Sequence, residues 1–303
     1  MIRVLATDGM EKGAIQDLIA KGYEVVEQFY EPEELAEKAK EYNVIVVRSA
    51  TKVREPIIDA ALTTGNLKLI IRGGVGVDNI DVAYAESKGI KVANTPNASS
   101  AAVAELAIAG MFSIARHLHA ANYTMRLGQW NKKQYKGIEL SGKTLGLVGF
   151  GRIAQETAKR GAALGMKIIY TDLLGANPDY PDFQFASFEE VLVGADFLSL
   201  HIPAKADKSY LLTAAEFAKM KDGAYLINTS RGSLVCEADL LAALDSGKLA
   251  GAYLDVFEAE PTKNEALYTH EKISFTPHIG GSTKEAQKRI GSEIVSIITT
   301  FFA

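Results

Sequence analysis

A chain of 303 residues, 48% hydrophobic and 23% charged, is long enough for about two domains with cores of their own and has the balance of a globular protein. Its net charge of −4 excludes a non-specific nucleic-acid binder, and its single cysteine, Cys236, excludes an intrachain disulfide or a cysteine-built zinc site. The opening IRVLATDG lacks a signal-peptide layout, and the longest apolar stretch, 101–115, is too short for a membrane span and carries Glu105, so a cytoplasmic protein without membrane partners is expected.

Strand-like runs at 4–7, 23–29, 44–48, 67–71 and 90–93 alternate with helical patterns at 11–20, 32–42, 55–62 and 81–87. That order predicts a parallel sheet with helices on both faces. The stretch 98–127 carries one long helical pattern, expected to be a rigid linker between two lobes.

Beyond a polar segment, TLGLVGFGRIAQETAKRGAALGMKIIYTD at 144–172 reads strand, glycine turn, helix, strand. Gly149 lets the chain reverse, and Gly151 lets backbone N–H groups approach a pyrophosphate lying on the helix N-terminus. Ala154 takes the third glycine position, which needs only close packing of helix on strand. Asp172 ends the second strand, where a carboxylate accepts hydrogen bonds from a ribose and repels a 2′-phosphate, so NAD rather than NADP is the expected cofactor.

Ser187 with Glu190, Thr213 with Glu216, and Ser282 with Glu285 have capping-box spacing and mark three helix starts. Strands are expected at 197–201, 225–228, 252–256 and 273–276. The last helix, apolar at Ile290, Ile294, Ile297 and Ile298, should pack back on the first lobe. The expected domains are 1–98 completed by 282–303, binding substrate, and 99–281, binding NAD.

Arg231, Glu260 and His278 each follow a second-lobe strand, and open α/β sheets bind ligands outside those strand ends. The types suit one chemistry: a guanidinium fork for a carboxylate, an acid–base group titrating near neutrality, and a carboxylate to bias it. The other histidines compete poorly. His117 and His119 sit two apart in the expected helix and so face different sides, and neither His201 nor His270 suggests a metal site.

NTSRG at 228–232, LDVFEAEP at 254–261 and TPHIGGSTKEAQ at 276–287, with RSATKV at 48–53, RGGVGVDNID at 72–81 and NTPNASS at 94–100, resemble the signature segments of the D-2-hydroxyacid dehydrogenases. The likeness covers essentially the whole chain and points within that family to the branch acting on 3-phosphoglycerate. It implies an α/β architecture of two Rossmann-like, doubly wound parallel-sheet domains joined by long helices, with a cleft between them. It also implies hydride transfer between NAD and C2 of 3-phosphoglycerate, the first step of serine biosynthesis.

By the same resemblance His278 exchanges the C2 hydroxyl proton, Glu260 holds its imidazole and favours the charged form, and Arg231 binds the carboxylate and polarises the carbonyl. Gly149, Gly151, Arg152, Ile153, Asp172, Ile202, Thr229, Ser230, Asp255, Gly280, Gly281 and Val75 line the cofactor site, together with Arg231 and His278. Arg48, Lys52 and Arg72 are the expected phosphate contacts, with Ser49 beside them. The Gly73 and Gly74 backbone reaches the carboxylate, and Asn97 orients the substrate.

A homodimer is implied too; Trp130, Lys132 and Lys133 either pack on the second subunit or form a solvated loop. Longer relatives append a regulatory domain after the last helix, so inhibition by serine is not expected. The alternatives are a glyoxylate or hydroxypyruvate reductase or another D-2-hydroxyacid dehydrogenase and, from another class, a non-catalytic NAD-sensing corepressor.

Overall fold

The structure, a computed structural model, describes residues 1–205, 207 and 209–303. The chain divides into two compact units, Met1–Ser99 with Gly281–Ala303, and Ser100–Gly280.

The first unit runs β1 (Arg3–Ala6), α1 (Lys12–Ala20), β2 (Glu24–Glu27), α2 (Pro32–Lys38), β3 (Val44–Val47), α3 (Glu55–Leu62), β4 (Leu69–Arg72), α4 (Val82–Ser87) and β5 (Lys91–Asn94). Its strands pair in the order β2-β1-β3-β4-β5, all parallel. The central strand β3 is VIVV and buried throughout, as a strand covered by helices on both faces must be. Arg72, expected just past a strand, is instead the last residue of β4 and pairs with Val47.

The second unit begins with α5 (Ser100–Ala115) and α6 (Leu118–Arg126), continues through β6 (Thr144–Val148), α7 (Arg152–Ala163), β7 (Lys167–Thr171), β8 (Gln184–Phe185), α8 (Phe188–Gly194), β9 (Phe197–Leu200), α9 (Ala214–Lys219), β10 (Ala224–Asn228), α10 (Glu237–Asp245), β11 (Leu249–Leu254) and α11 (Glu265–Tyr268), and closes with β12 (Ile273–Phe275). The strand order is β12-β11-β10-β9-β6-β7-β8, again all parallel. Two apolar clusters cover the sheet. One holds Leu198, Leu226 and Leu254, the other Leu147, Ile227 and Tyr253, as side chains alternate across each strand. The two-residue edge strand β8 carries no periodic signal and is not legible in the sequence.

The long linker helix is not observed. α5 and α6 meet at 67°, with His117 left-handed between them at φ 53°. The Ala115 carbonyl accepts the Ile138 amide at 2.9 Å, so a returning strand of chain takes over the end of α5. Gly137 permits the approach, since a Cβ there would lie 2.2 Å from the Ala115 oxygen. α5 belongs to the second unit and buries Ala107, Met111 and Ile114, whereas α6 has no buried residue. Among the described residues no single helix is long and apolar enough to cross a membrane.

The final helix, α12 (Lys284–Phe301), lies in the first unit and buries Ile290, Ile294, Val295 and Ile298 in the cluster that holds Val4, Val46 and Ile71. Its cap is Thr283, whose side chain accepts from the Ala286 amide, rather than the expected box of Ser282 with Glu285. The other two boxes form: Ser187 with Glu190 opens α8, and Thr213 with Glu216 opens α9.

Candidate active site

The second sheet reverses its strand order between β6 and β9, and the glycine turn leaves the sheet there. Gly149 sits at φ +86°, and a Cβ on it would meet the His201 carbonyl oxygen at 2.7 Å and the Ile202 Cγ2 at 2.6 Å. Only glycine fits that turn. Gly151 has open space where its Cβ would be and caps α7 without a side chain. The first-turn amides that Arg152 and Ile153 begin therefore face no side-chain cap, and a helix start of this kind favours an anion.

Asp172 follows β7. Its Oδ2 accepts the Phe150 amide at 2.6 Å and its Oδ1 the Leu174 amide at 2.9 Å, so the carboxylate is locked to the glycine turn. Across the reversal, Ser230 Oγ donates to the Ile202 carbonyl. The neighbouring Thr229 Oγ1 is buried and has no hydrogen-bond partner among the described residues. A tight glycine turn, an open helix N-terminus, a fixed carboxylate one strand away and an unmatched buried hydroxyl fit a dinucleotide such as NAD.

Arg231, Glu260 and His278 stand on loops after β10, β11 and β12. Buried Asn228 shapes the first loop, accepting the Ser230 amide at 3.1 Å and donating to the Arg231 carbonyl at 2.9 Å. Gly232 then lies against the next loop; a Cβ on it would fall 1.8 Å from the Phe257 carbonyl carbon, so no side chain can replace its hydrogen without parting the two. Arg231 Nη1 donates to the Ser230 carbonyl at 2.6 Å.

Glu260 Oε1 accepts the Phe257 amide at 3.2 Å, and its Oε2 meets His278 Nδ1 at 2.6 Å. Burial is the largest influence on Glu260 and pushes its pKa up. The hydrogen bond and charge of His278, the Phe257 amide and the charge of Arg231 together outweigh it, and the carboxyl lies below the ordinary 4.5. Glu260 is therefore ionised at neutral pH, and its bond to Nδ1 leaves Nε2 as the working atom of the ring.

His278 itself is left-handed at φ 51°, an uncommon state for a side chain of this size. Asp255, expected to line the cofactor site, is buried and spends both oxygens on that loop. Oδ1 accepts Thr276 Oγ1 at 2.5 Å and the Ile279 amide at 2.8 Å, and Oδ2 accepts the Gly280 amide at 2.9 Å. Burial, the largest influence, raises its pKa against those three donors. His201 is a different histidine: burial drives its pKa down to about 3, so it stays neutral, with Nε2 2.9 Å from Ser199 Oγ.

In the first unit, half-buried Arg48 and exposed Ser49 and Lys52 occupy the loop after β3, next to the end of β4 where Arg72 stands. Gly73 donates to the Val47 carbonyl at 2.8 Å, and Arg48 Cγ lies 3.7 Å from where its Cβ would be. Gly74 is at φ +152°, and the Arg72 guanidinium folds over it, so close that a Cβ would sit 1.2 Å from Nη1.

Two residues absent from the sequence reading hold this loop. Asp8 accepts the Arg48 amide at 2.7 Å, the Thr51 amide at 3.0 Å and the Thr51 hydroxyl at 2.5 Å. Asn79 donates to the Arg48 and Thr51 carbonyls at 2.8 and 2.7 Å. Asp8 lies in a DG turn and Asn79 in a DNID run, and such residues commonly bond nearby backbone, the one signal that could have marked them. Val75, 36% exposed, passes its carbonyl to Asn94 Nδ2 at 2.5 Å; Asn97 is exposed before α5; and the Gly281 carbonyl accepts Gln287 Nε2 at 2.7 Å.

His117 and His119 were expected on one helix. His117 instead occupies the break before α6, and both line a cavity of about 1100 Å³ that His270 also borders. Among the described residues no group of three or more His, Cys, Asp or Glu side chains is arranged to hold a metal.

Fold and glycine turn together define a dinucleotide-binding α/β protein. Residues 108–280 match the family described as D-isomer specific 2-hydroxyacid dehydrogenase, NAD binding domain. The chain is 46% identical to hydroxypyruvate reductase of Thermotoga maritima over 98% of its own length and 97% of that protein's. It is 42% identical to D-3-phosphoglycerate dehydrogenase of Methanocaldococcus jannaschii over 98% of its own length, but spans only 57% of that relative. Among solved structures, a glyoxylate reductase from Paecilomyes thermophila superposes with a TM-score of 0.90 at 31% identity, covering 99% of this chain and 94% of that one. The chain belongs to the D-isomer specific 2-hydroxyacid dehydrogenase family, oxidoreductases that use NAD and act on small 2-hydroxy and 2-oxo acids.

Proposed function

We propose that this chain interconverts 3-phosphoglycerate and 3-phosphohydroxypyruvate, the reaction that opens serine biosynthesis. The observation that carries this reading is the pair of guanidinium-bearing residues at adjacent strand ends of the first unit. Arg48 follows Val47, Val47 pairs with Arg72, and exposed Lys52 lies four residues along the same loop. Such a cluster suits a second anionic group on the substrate beyond its carboxylate.

In this reading NAD, when bound, accepts or returns the hydride at C2. His278 Nε2 takes the hydroxyl proton during oxidation and gives it back during reduction, while Glu260 on Nδ1 fixes the ring and faces the positive charge it acquires. Arg231 grips the carboxylate and draws electron density toward the carbonyl oxygen. Asp172 supports NAD over NADP, since its fixed negative charge repels a 2′-phosphate.

A reductase acting on unphosphorylated hydroxypyruvate or glyoxylate is the second reading, favoured by the 46% identity to the Thermotoga enzyme along nearly the whole of both chains. Initial rates of NADH oxidation with phosphohydroxypyruvate and hydroxypyruvate separate the two. The first reading expects kcat/KM to favour the phosphorylated acid by at least about a hundredfold, because the smaller acid offers no phosphate for the cationic cluster to bind. A preference of only a few-fold transfers the assignment to the reductase, and equal rates with NADPH remove the role given to Asp172.

We also infer a homodimer formed through α6 and the segment after it. Leu118, Tyr123, Met125, Leu127 and Trp130 are all more than half exposed, an apolar surface that a second copy would cover. Light scattering should give twice the monomer mass, and a monomer at micromolar concentration contradicts the inference.

A further inference from the structure

Thr276 is fixed at three points. Its amide donates to the Leu254 carbonyl at 3.0 Å, its carbonyl accepts the His278 amide at 3.0 Å, and its hydroxyl reaches Asp255 Oδ1 at 2.5 Å. The same hydroxyl lies 2.7 Å from Tyr253 Oη. Direction follows from proton count. Both Asp255 oxygens accept backbone amides, so the carboxylate takes the one proton of Thr276, and the hydrogen bond from tyrosine to threonine must be donated by Tyr253. The pKa of Tyr253 is raised to about 12, chiefly by burial, which keeps that proton in place.

Tyr253 is tightly packed. Its ring is buried in the sheet's core cluster, and α5 crosses it at Gly110, where a Cβ would lie 2.2 Å from the ring. A one-way chain of donors thus runs from the core, through Tyr253 and Thr276, to Asp255. Asp255 in turn holds the Ile279 and Gly280 amides on the far side of His278. The left-handed histidine is pinned from both flanks by one carboxylate.

We propose that Thr276, backed by Tyr253, is a positioning residue for His278: its hydroxyl closes the Asp255 clamp that holds the loop in the conformation placing Nε2 for proton transfer. This rests on the reading that His278 is the acid–base group. Among the described residues neither side chain is hydrogen-bonded to the imidazole, so the effect travels through the backbone of 276–280.

The test uses Thr276→Val, which keeps the shape and removes the donor, with Thr276→Ser restoring the hydroxyl and Tyr253→Phe removing only the outer donor. Thr276→Val should lower kcat about ten- to a hundredfold with KM for the 2-oxo acid unchanged, the range expected of a displaced reacting group. Thr276→Ser should recover most of the rate, and Tyr253→Phe should show a smaller loss in the same direction. In the protein without substrate, the ¹⁵N imidazole signals of His278 should be sharp in the wild type and Thr276→Ser, and broadened in Thr276→Val.

A Thr276→Val protein with wild-type kcat and a sharp His278 signal overturns the proposal, as does a serine variant as slow as the valine one. Should the valine variant not fold, the comparison of Tyr253→Phe with wild type decides, and an unchanged kcat there overturns it. His278→Ala measured alongside separates the two levels. If it is inactive while Thr276→Val runs at full rate, only this inference falls; if His278→Ala still turns over, the acid–base reading falls and this one with it.

Discussion

Replacing His278 by alanine is expected to lower kcat by about 10²- to 10⁴-fold, the range that a positioned acid–base group contributes, while NADH still binds. The separation follows from where the histidine sits. Its imidazole is hydrogen-bonded to Glu260, 2.6 Å from Nδ1, whereas the glycine turn, Asp172 and the start of α7 are built from other residues. Quenching of protein fluorescence by NADH checks binding, and steady-state oxidation of NADH checks turnover. A His278→Ala enzyme within a few-fold of the wild-type rate would leave proton transfer to some other group.

Arg231→Ala carries the second large effect, a fall in kcat/KM of about 10²- to 10³-fold, as for loss of a donor aimed at developing oxyanion charge. Lysine should rescue little of it, because a single ammonium cannot replace a planar fork on a carboxylate. Asn228 and Gly232 fix the loop on either side of Arg231 independently of its side chain, so the fold should survive. Thermal denaturation beside the kinetics tests this. If Arg231→Lys matches wild type, the paired-fork role is wrong; if Arg231→Ala unfolds, the side chain is chiefly structural.

The two variants differ in what they leave behind. Without His278, Glu260 loses both a hydrogen bond and a charge that hold its pKa down, and burial, the largest influence on it, pulls the pKa upward. Without Arg231 it loses a weaker charge contribution only. His278→Ala therefore disturbs the charge state of the site more than Arg231→Ala does.

Much of this protein is legible in its sequence, for local reasons. Strand and helix alternation, the turn at Gly149 and Gly151 and the caps at Ser187 and Thr213 all depend on residues within a few positions of one another. Arg231, Glu260 and His278 stood out because each follows a strand and their chemical types complement one another. The expectation of one long helix fails for the same reason: nothing in SIARHLHAAN breaks helical periodicity, and no glycine or proline marks His117. What ends α5 is the amide of Ile138, arriving from beyond α6.

The amino-acid order by itself determined most of the strands and helices, the family and the kinds of side chain available for chemistry, since periodicity, turn residues and short motifs are properties of neighbours along the chain. Tertiary structure alone decided that α5 and α6 are separate, that Asp8 and Asn79 hold the Arg48 loop, and that Thr276 closes on Asp255. These depend on pairs 40 and 21 residues apart in the case of Asp8 with Arg48 and Asp255 with Thr276. A hydrogen bond across that distance exists only once the sheets have brought the strand ends side by side, and no local pattern encodes it.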